Sequence, residues 1–129
     1  MSPIHVYTPK ELHERAEQGV PVAELQAFMK KFGLTQKQTA FLLGISGKTL
    51  FSLLKEDLLN TPASDRFLMI AAVFEEGVDA LMSVDAFRAW LYKPHFHFNK
   101  KFPFEMMGTI NGAEAVRDEL IRTKYGVLS

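Results

Sequence analysis

The 129-residue chain contains no cysteine, which excludes disulfides and thiolate metal sites. It carries no excess charge of either sign: 15 Lys and Arg balance 15 Asp and Glu, so bulk electrostatics selects no polyanionic partner. No apolar run approaches the roughly 20 residues that span a bilayer. The opening "MSPIHVYTPKELHERAE" lacks the basic start and apolar stretch of a secretory signal, and the expectation is a soluble, cytoplasmic protein with no membrane partner. Internal repeats, low-complexity tracts and long polar linkers are missing. So are the nucleophile elbow, HExxH, the Walker loop and the dinucleotide glycine pattern. Without them the chain is expected not to be an enzyme, with no catalytic residues and no cofactor.

What is present is apolar. At 47% hydrophobic and 12% aromatic residues, the chain can bury a core as one domain or as two small subdomains. Turn residues divide it into short helical blocks. Thr8, Pro9 and Glu11 form a capping box ahead of a helix that Gly19 ends. Val22, Leu25, Phe28, Met29 and Phe32 recur at spacings of three and four, one apolar helical face closed by Gly33. Thr35–Leu43 and Ser46–Leu54 read as two helices around Gly44. "FLMIAAVF" is too continuous for periodicity, and its length up to Gly77 favours a buried helix. Ser83 caps "VDAFRAWLY", and Asn111 with Glu114 predicts the start of a last helix that Gly126 stops. β-branched residues are sparse and never alternate with polar ones. The fold class is all-α.

"QKQTAFLLGISGKTLFSLL" has the spacing of a helix-turn-helix. Ala40 is small enough for a second helix to cross closely, Gly44 suits a left-handed turn four residues later, and Ile45 fills the space between helices. Ser46 can cap the second helix, and Leu50 and Leu53 point inward. Its exposed face would carry Gly47, Lys48, Thr49, Ser52 and Lys55 toward a major groove. Between Leu25 and Lys55 the lysines at 30, 31, 37, 48 and 55 stand without a single acid, a local positive patch suited to phosphates. Gln36, Lys37, Ser46, Lys48, Thr49, Ser52 and Lys55 are the candidate DNA-binding residues. The plainer reading is a solvated lysine face, and the lack of arginine there removes the commonest base contact.

Among "YKPHFHFNKKFPFE", Tyr92–Glu105, His95-x-His97 sets two imidazoles on one side of an extended segment. Zinc takes three or four protein ligands, and the other histidines are only His5 and His13, so no metal is expected. Phe96, Phe98, Phe102 and Phe104 with Lys93, Lys100 and Lys101 have the composition of a base-stacking groove. A hydrophobic brace between helices is the favoured reading. Ser64, Asp65 and Arg66 suit a helix start, with Arg66 pairing a neighbouring acid, and Asp118–Arg122 is a possible i,i+4 pair.

In order and with intact spacing, Ser64-Asp65-Arg66, Trp90-Leu91 with Pro94, Pro103, Gly112-Ala113, Val116, Leu120 and Tyr125-Gly126 resemble the Xre/MbcA/ParS antitoxins over residues 22–129. The resemblance implies an N-terminal helix-turn-helix followed by a small helical toxin-binding and dimerisation domain. The expected boundaries are a helical extension at 1–21, the helix-turn-helix at 22–60 and the toxin-binding domain at 61–129. It implies a homodimer that neutralises a RES-domain toxin, a NAD-consuming relative of ADP-ribosyltransferases, and that binds operator DNA to repress its own promoter. The family places its C-terminal end in the toxin's cleft. On that ground Arg122, Lys124, Tyr125, Gly126, Val127, Leu128 and Ser129 are the expected toxin-binding residues.

Phe98 and Phe104 fall where the family is usually aliphatic and should be buried, whereas Phe96 and Phe102 should face a partner. Asn99, Lys100 and Phe102 depart from the family's glycine-rich link, and Phe102 cannot cap the helix that Pro103 opens. The apolar density of Phe67–Phe74 and Phe87–Leu91 predicts side chains shared between protomers. Two rival readings stand beside this one: a free-standing helix-turn-helix regulator without a toxin, and a small metal protein built on His95-x-His97.

Overall fold

Most helix starts in this chain are set by side chains that accept hydrogen bonds from amides the helix cannot satisfy itself. The Thr8 hydroxyl accepts from the Glu11 amide while the Glu11 carboxylate accepts from that of Thr8. Thr35 and Gln38 repeat the arrangement. The computed structural model describes residues 7–126. Eight α-helices follow: α1 Pro9–Gln18, α2 Val22–Phe32, α3 Gln36–Leu43, α4 Gly47–Leu53, α5 Thr61–Leu81, α6 Val84–Leu91, α7 Pro103–Met106 and α8 Ile110–Lys124. A 3₁₀ turn, Phe96–Phe98, lies between α6 and α7. Among the described residues there is no β-strand, only an isolated antiparallel bridge from Pro21 to Leu58. The all-α expectation holds. No helix among these residues is long and apolar enough to cross a membrane.

The chain divides into two compact units between Ala71 and Ala72, a break inside α5. In the first, α2 has no side-chain cap; its Val22 amide donates to the Asp57 carbonyl at 2.9 Å, and Leu59 N–H donates to the Val20 carbonyl at 2.8 Å. Gly19, at φ +87°, permits this pairing, because a Cβ there would meet the Leu59 carbonyl at 3.0 Å. Leu25, Leu42, Leu50 and Leu68 are buried almost completely, and the Phe28 ring meets Phe67 edge-on at 5.2 Å.

In the second unit Phe87 is the centre. Its ring meets Phe74 edge-on at 5.0 Å, and it lies so close to α5 that a Cβ on Gly77 would be 2.1 Å from it. Leu91, Met107, Ala113, Val116 and Leu120 are buried with it. A Cβ on Gly112 would lie 1.8 Å from the Met106 carbonyl oxygen, so only glycine lets α8 start this close behind α7.

Three expectations need correction. α5 begins at Thr61, where the Asn60 carboxamide accepts from Ala63 N–H, so Ser64 is inside the helix and does not start it. The same helix runs past Gly77 to Leu81; nearly every residue from Phe67 to Gly77 is buried, which is why no apolar face could be read there. α8 is capped by Thr109, whose hydroxyl accepts from Gly112 N–H at 3.0 Å, and Asn111 sits in its first turn. Within the two apolar ranges Phe67–Phe74 and Phe87–Leu91, Phe67, Phe74, Phe87 and Leu91 are buried in the single chain, while Met69 and Trp90 stay half-buried.

Candidate functional site

α3 and α4 pack against each other as the spacing predicts. Ala40 is buried at their crossing, and its carbonyl accepts from Ile45 N–H at 3.0 Å across the turn. Gly44 adopts φ 68°, ψ 31°, the left-handed conformation that costs a side chain about 1–2 kcal/mol. It has a second constraint: the Arg66 guanidinium lies over it, and a Cβ would be 2.9 Å from Nη1. The head group of Arg66, expected to pair with an acid, thus also packs over this turn. Ile45 is half-buried, Leu50 fully buried and Leu53 half-buried.

Ser46 caps α4, accepting from Thr49 N–H at 3.0 Å and donating its own proton to the Thr49 hydroxyl at 2.9 Å. Both hydroxyls are therefore committed to each other, while remaining exposed. Gln36, Lys37, Gly47, Lys48, Ser52 and Lys55 are exposed as well, so every residue of the expected DNA-binding set faces solvent in the first unit. No ion pair joins these lysines to a carboxylate among the described residues. One neighbour was missed. Phe51 is 54% exposed on α4, with the Lys55 ammonium over its ring at 4.2 Å. The i,i+4 spacing of Phe51 and Lys55 was the available signal.

The second set lies at the end of α8 in the second unit. Arg122, Lys124, Tyr125 and Gly126 are exposed there, and Val127, Leu128 and Ser129 fall outside the described residues. The two cations are already paired. Arg122 donates to the Glu119 carboxylate, an i,i+3 contact, with the charge of Asp118, its expected i,i+4 partner, acting on it as well, and Lys124 donates to Asp79. The Asp79 hydrogen bond holds the Lys124 ammonium above its ordinary pKa.

The loop between α6 and α7 turns on two consecutive left-handed residues, Asn99 at φ 53° and Lys100 at φ 67°. Glu105 accepts from Phe102 N–H at 3.1 Å, but Phe102 offers no acceptor in return, so the cap is half of a capping box. Phe98 is buried, and Phe104 is half-buried with Tyr92 stacked on it at 5.3 Å. Phe96 is 88% exposed and Phe102 is also exposed, as expected of residues that face outward.

His95 and His97 meet at Glu119, which is buried. His97 Nδ1 lies 2.9 Å from each carboxylate oxygen, and His95 Nε2 lies 3.7 Å from Oε1. Burial would raise the Glu119 pKa, but hydrogen bonds and charge from Arg122 and His97 outweigh it and hold the carboxyl below its ordinary range. The expectation of no metal counted only histidines and cysteines. Glu119 is 22 residues from His97 in sequence, and no local pattern marks it.

Two family models match the chain. Residues 11–72 match the antitoxin Xre-like helix-turn-helix domain, and residues 71–126 match the antitoxin Xre/MbcA/ParS C-terminal toxin-binding domain. The two matches adjoin and follow the same order as the two units. No curated protein matches the chain.

Proposed function

The chain belongs to the Xre/MbcA/ParS antitoxins, and from that footing we propose that it neutralises a RES-domain toxin with its second unit and represses its own operon with its first. A helix-turn-helix domain followed by a toxin-binding domain is the architecture of an antitoxin of a toxin–antitoxin pair. Neither matched family is known for enzymes.

In this reading the end of α8 enters the toxin's NAD-consuming cleft. Arg122 and Lys124 stand where a substrate diphosphate would otherwise lie, and Tyr125 to Ser129 obstruct the entrance. Neutralisation is steric: the toxin is occupied, not modified. Operator DNA is held by the lysine face of α3 and α4, with Gln36 and the α4 residues Lys48, Thr49 and Ser52 at the groove. Two protomers read a two-fold site, since one helix-turn-helix gives modest affinity alone. The observation that carries the reading is the pairing of both matches with the exposure of every described residue of the two sets.

The test is deletion of residues 126–129. The truncated protein should keep its helical signal and its operator shift, yet fail to stop NAD consumption by purified toxin. Continued inhibition would remove the tail from the mechanism. Light scattering at micromolar concentration should give a dimer; a monomer alone would contradict the two-fold arrangement.

A further inference from the structure

We propose that His95, His97 and Glu119 form a Zn²⁺ site that clips the loop between α6 and α7 to α8. The donor set is two imidazole nitrogens and one carboxylate oxygen, ligands that zinc accepts together while keeping a fourth position open.

The separations fit. With metal–ligand bonds of about 2.0–2.2 Å, tetrahedral donors stand roughly 3.4 Å apart. His97 Nδ1 and the Glu119 oxygens are 2.9 Å apart, and His95 Nε2 and Oε1 are 3.7 Å apart, one edge slightly short and one slightly long. One ligating atom from each of the three residues can be chosen so that all lie within 4.8 Å of one another. Closing the edge between the imidazoles takes a small rotation of rings whose centroids are 5.5 Å apart.

The surroundings also suit a metal. The Glu119 side chain is 8% exposed, while those of His95 and His97 are 21% and 27% exposed. The carboxylate is thus held by the core, and the open side of the cluster faces solvent, which allows entry of an ion and leaves the fourth position to water. Trp90 and Phe98 wall His95, their ring centroids 5.8 and 4.9 Å from its own. Arg122 donates to the same carboxylate from outside, the position of a partner that orients a ligand. Its positive charge also opposes a second cation, so this is a weaker site than one with a free carboxylate.

Protons must move for the ion to bind. The His95 Nδ1 accepts from His97 N–H at 3.1 Å, so the His95 ring proton sits on Nε2, facing Glu119. The His97 proton on Nδ1 points to the same carboxylate. Ligation shifts each ring proton to the other nitrogen of its own ring, and His97 N–H exchanges His95 for water. The metal thus takes the place of the His97 hydrogen bond and of the longer His95 contact at Glu119.

The experiment uses the untagged full-length chain, stripped with a chelator and titrated calorimetrically with Zn²⁺, with Co²⁺ as a spectroscopic substitute. One equivalent should bind per chain, raise the melting temperature, and give the intense visible bands of tetrahedral Co²⁺. His95→Ala and His97→Ala should each lower Zn²⁺ affinity at least about tenfold, since even outer-shell changes cost about 10–100-fold. Both rings are partly exposed, so the metal-free variants should melt near the parent temperature and lose only the Zn²⁺-dependent rise. His13→Ala, which removes the surface pair with Glu17, should leave binding unchanged. The proposal is overturned by absence of stoichiometric binding, by binding that survives the His95→Ala/His97→Ala double variant, or by loss of the site in His13→Ala.

Discussion

The Ser64 hydroxyl accepts a hydrogen bond from the Val20 amide at 2.9 Å and donates its own proton to the Leu59 carbonyl at 3.2 Å, all three groups being buried. One side chain inside α5 therefore joins two segments that the sequence separates widely, the end of the α1–α2 link and the approach to α5. Ser64→Ala leaves the Val20 N–H buried without an acceptor, and the cost should be about 1–3 kcal/mol. Urea denaturation measures it. A loss no larger than about 0.5 kcal/mol would mean that water enters to replace the hydroxyl.

Gly77 and Gly47 make a paired test of sign. Alanine is ordinarily better than glycine in a helix by about 0.5–1 kcal/mol. At Gly47 nothing lies within 4 Å of the added Cβ, so Gly47→Ala should raise the melting temperature. At Gly77 the new methyl would sit 2.1 Å from the Phe87 ring, which is completely buried and cannot withdraw. Overpacking of this kind costs about 1–3 kcal/mol and outweighs the propensity gain. Gly77→Ala should therefore melt lower. Equal shifts in one direction would show that the Phe87 contact does not decide the packing.

Met82 follows α5 at φ 73° and is 89% exposed. A left-handed conformation costs a non-glycine residue roughly 1–2 kcal/mol, partly offset by the greater freedom glycine has when unfolded. Met82→Gly should stabilise by up to about 1 kcal/mol, read from the chemical denaturation midpoint. Destabilisation would mean that the methionine side chain packs in a way that its exposure does not suggest.

Lys48→Ala and Lys55→Ala should each weaken operator binding and lower the slope of log affinity against log salt by about 0.9 per lost phosphate contact. Lys55 differs from Lys48 in lying over Phe51, so its loss also frees an exposed ring. Phe51→Ala should then reduce discrimination between operator and random DNA with little change in salt slope. Gel shifts at several salt concentrations separate these effects, and unchanged shifts for both lysine variants would remove α4 from the DNA interface.

The readable parts of the fold were those fixed within a few residues. Thr8 with Glu11 and the left-handed turns at Gly33 and Gly44 depend on neighbours three or four positions away, and the sequence states them directly. The start of α8 was misplaced because Thr109, Asn111 and Glu114 all offer capping chemistry locally. Thr109 is the one whose hydroxyl accepts from Gly112 N–H, where α8 starts close behind α7. Ser64 suits a helix start by its local chemistry alone, but α5 has already begun before it and its partner, Val20 N–H, is 44 residues away. In the candidate site, the exposed α4 face was legible because a helix-turn-helix is a local motif. The role of Glu119 was not, since a carboxylate brought to two histidines by helix packing looks in sequence like any solvated acid.

The end of α8 carries a final consequence through its two occupied cations. Arg122 already has Glu119, and Lys124 already has Asp79. A partner that presents an anion there must displace a carboxylate for each pair it forms, so the contact is a barter in which the number of free charges stays the same. Few counterions are liberated, and complex formation through these residues should change little with ionic strength. The lysines of α3 and α4 behave in the opposite way, since no carboxylate among the described residues neutralises them. One chain would then hold a salt-sensitive grip at one set of residues and a salt-indifferent grip at the other, and a rise in cellular potassium would release the first while sparing the second.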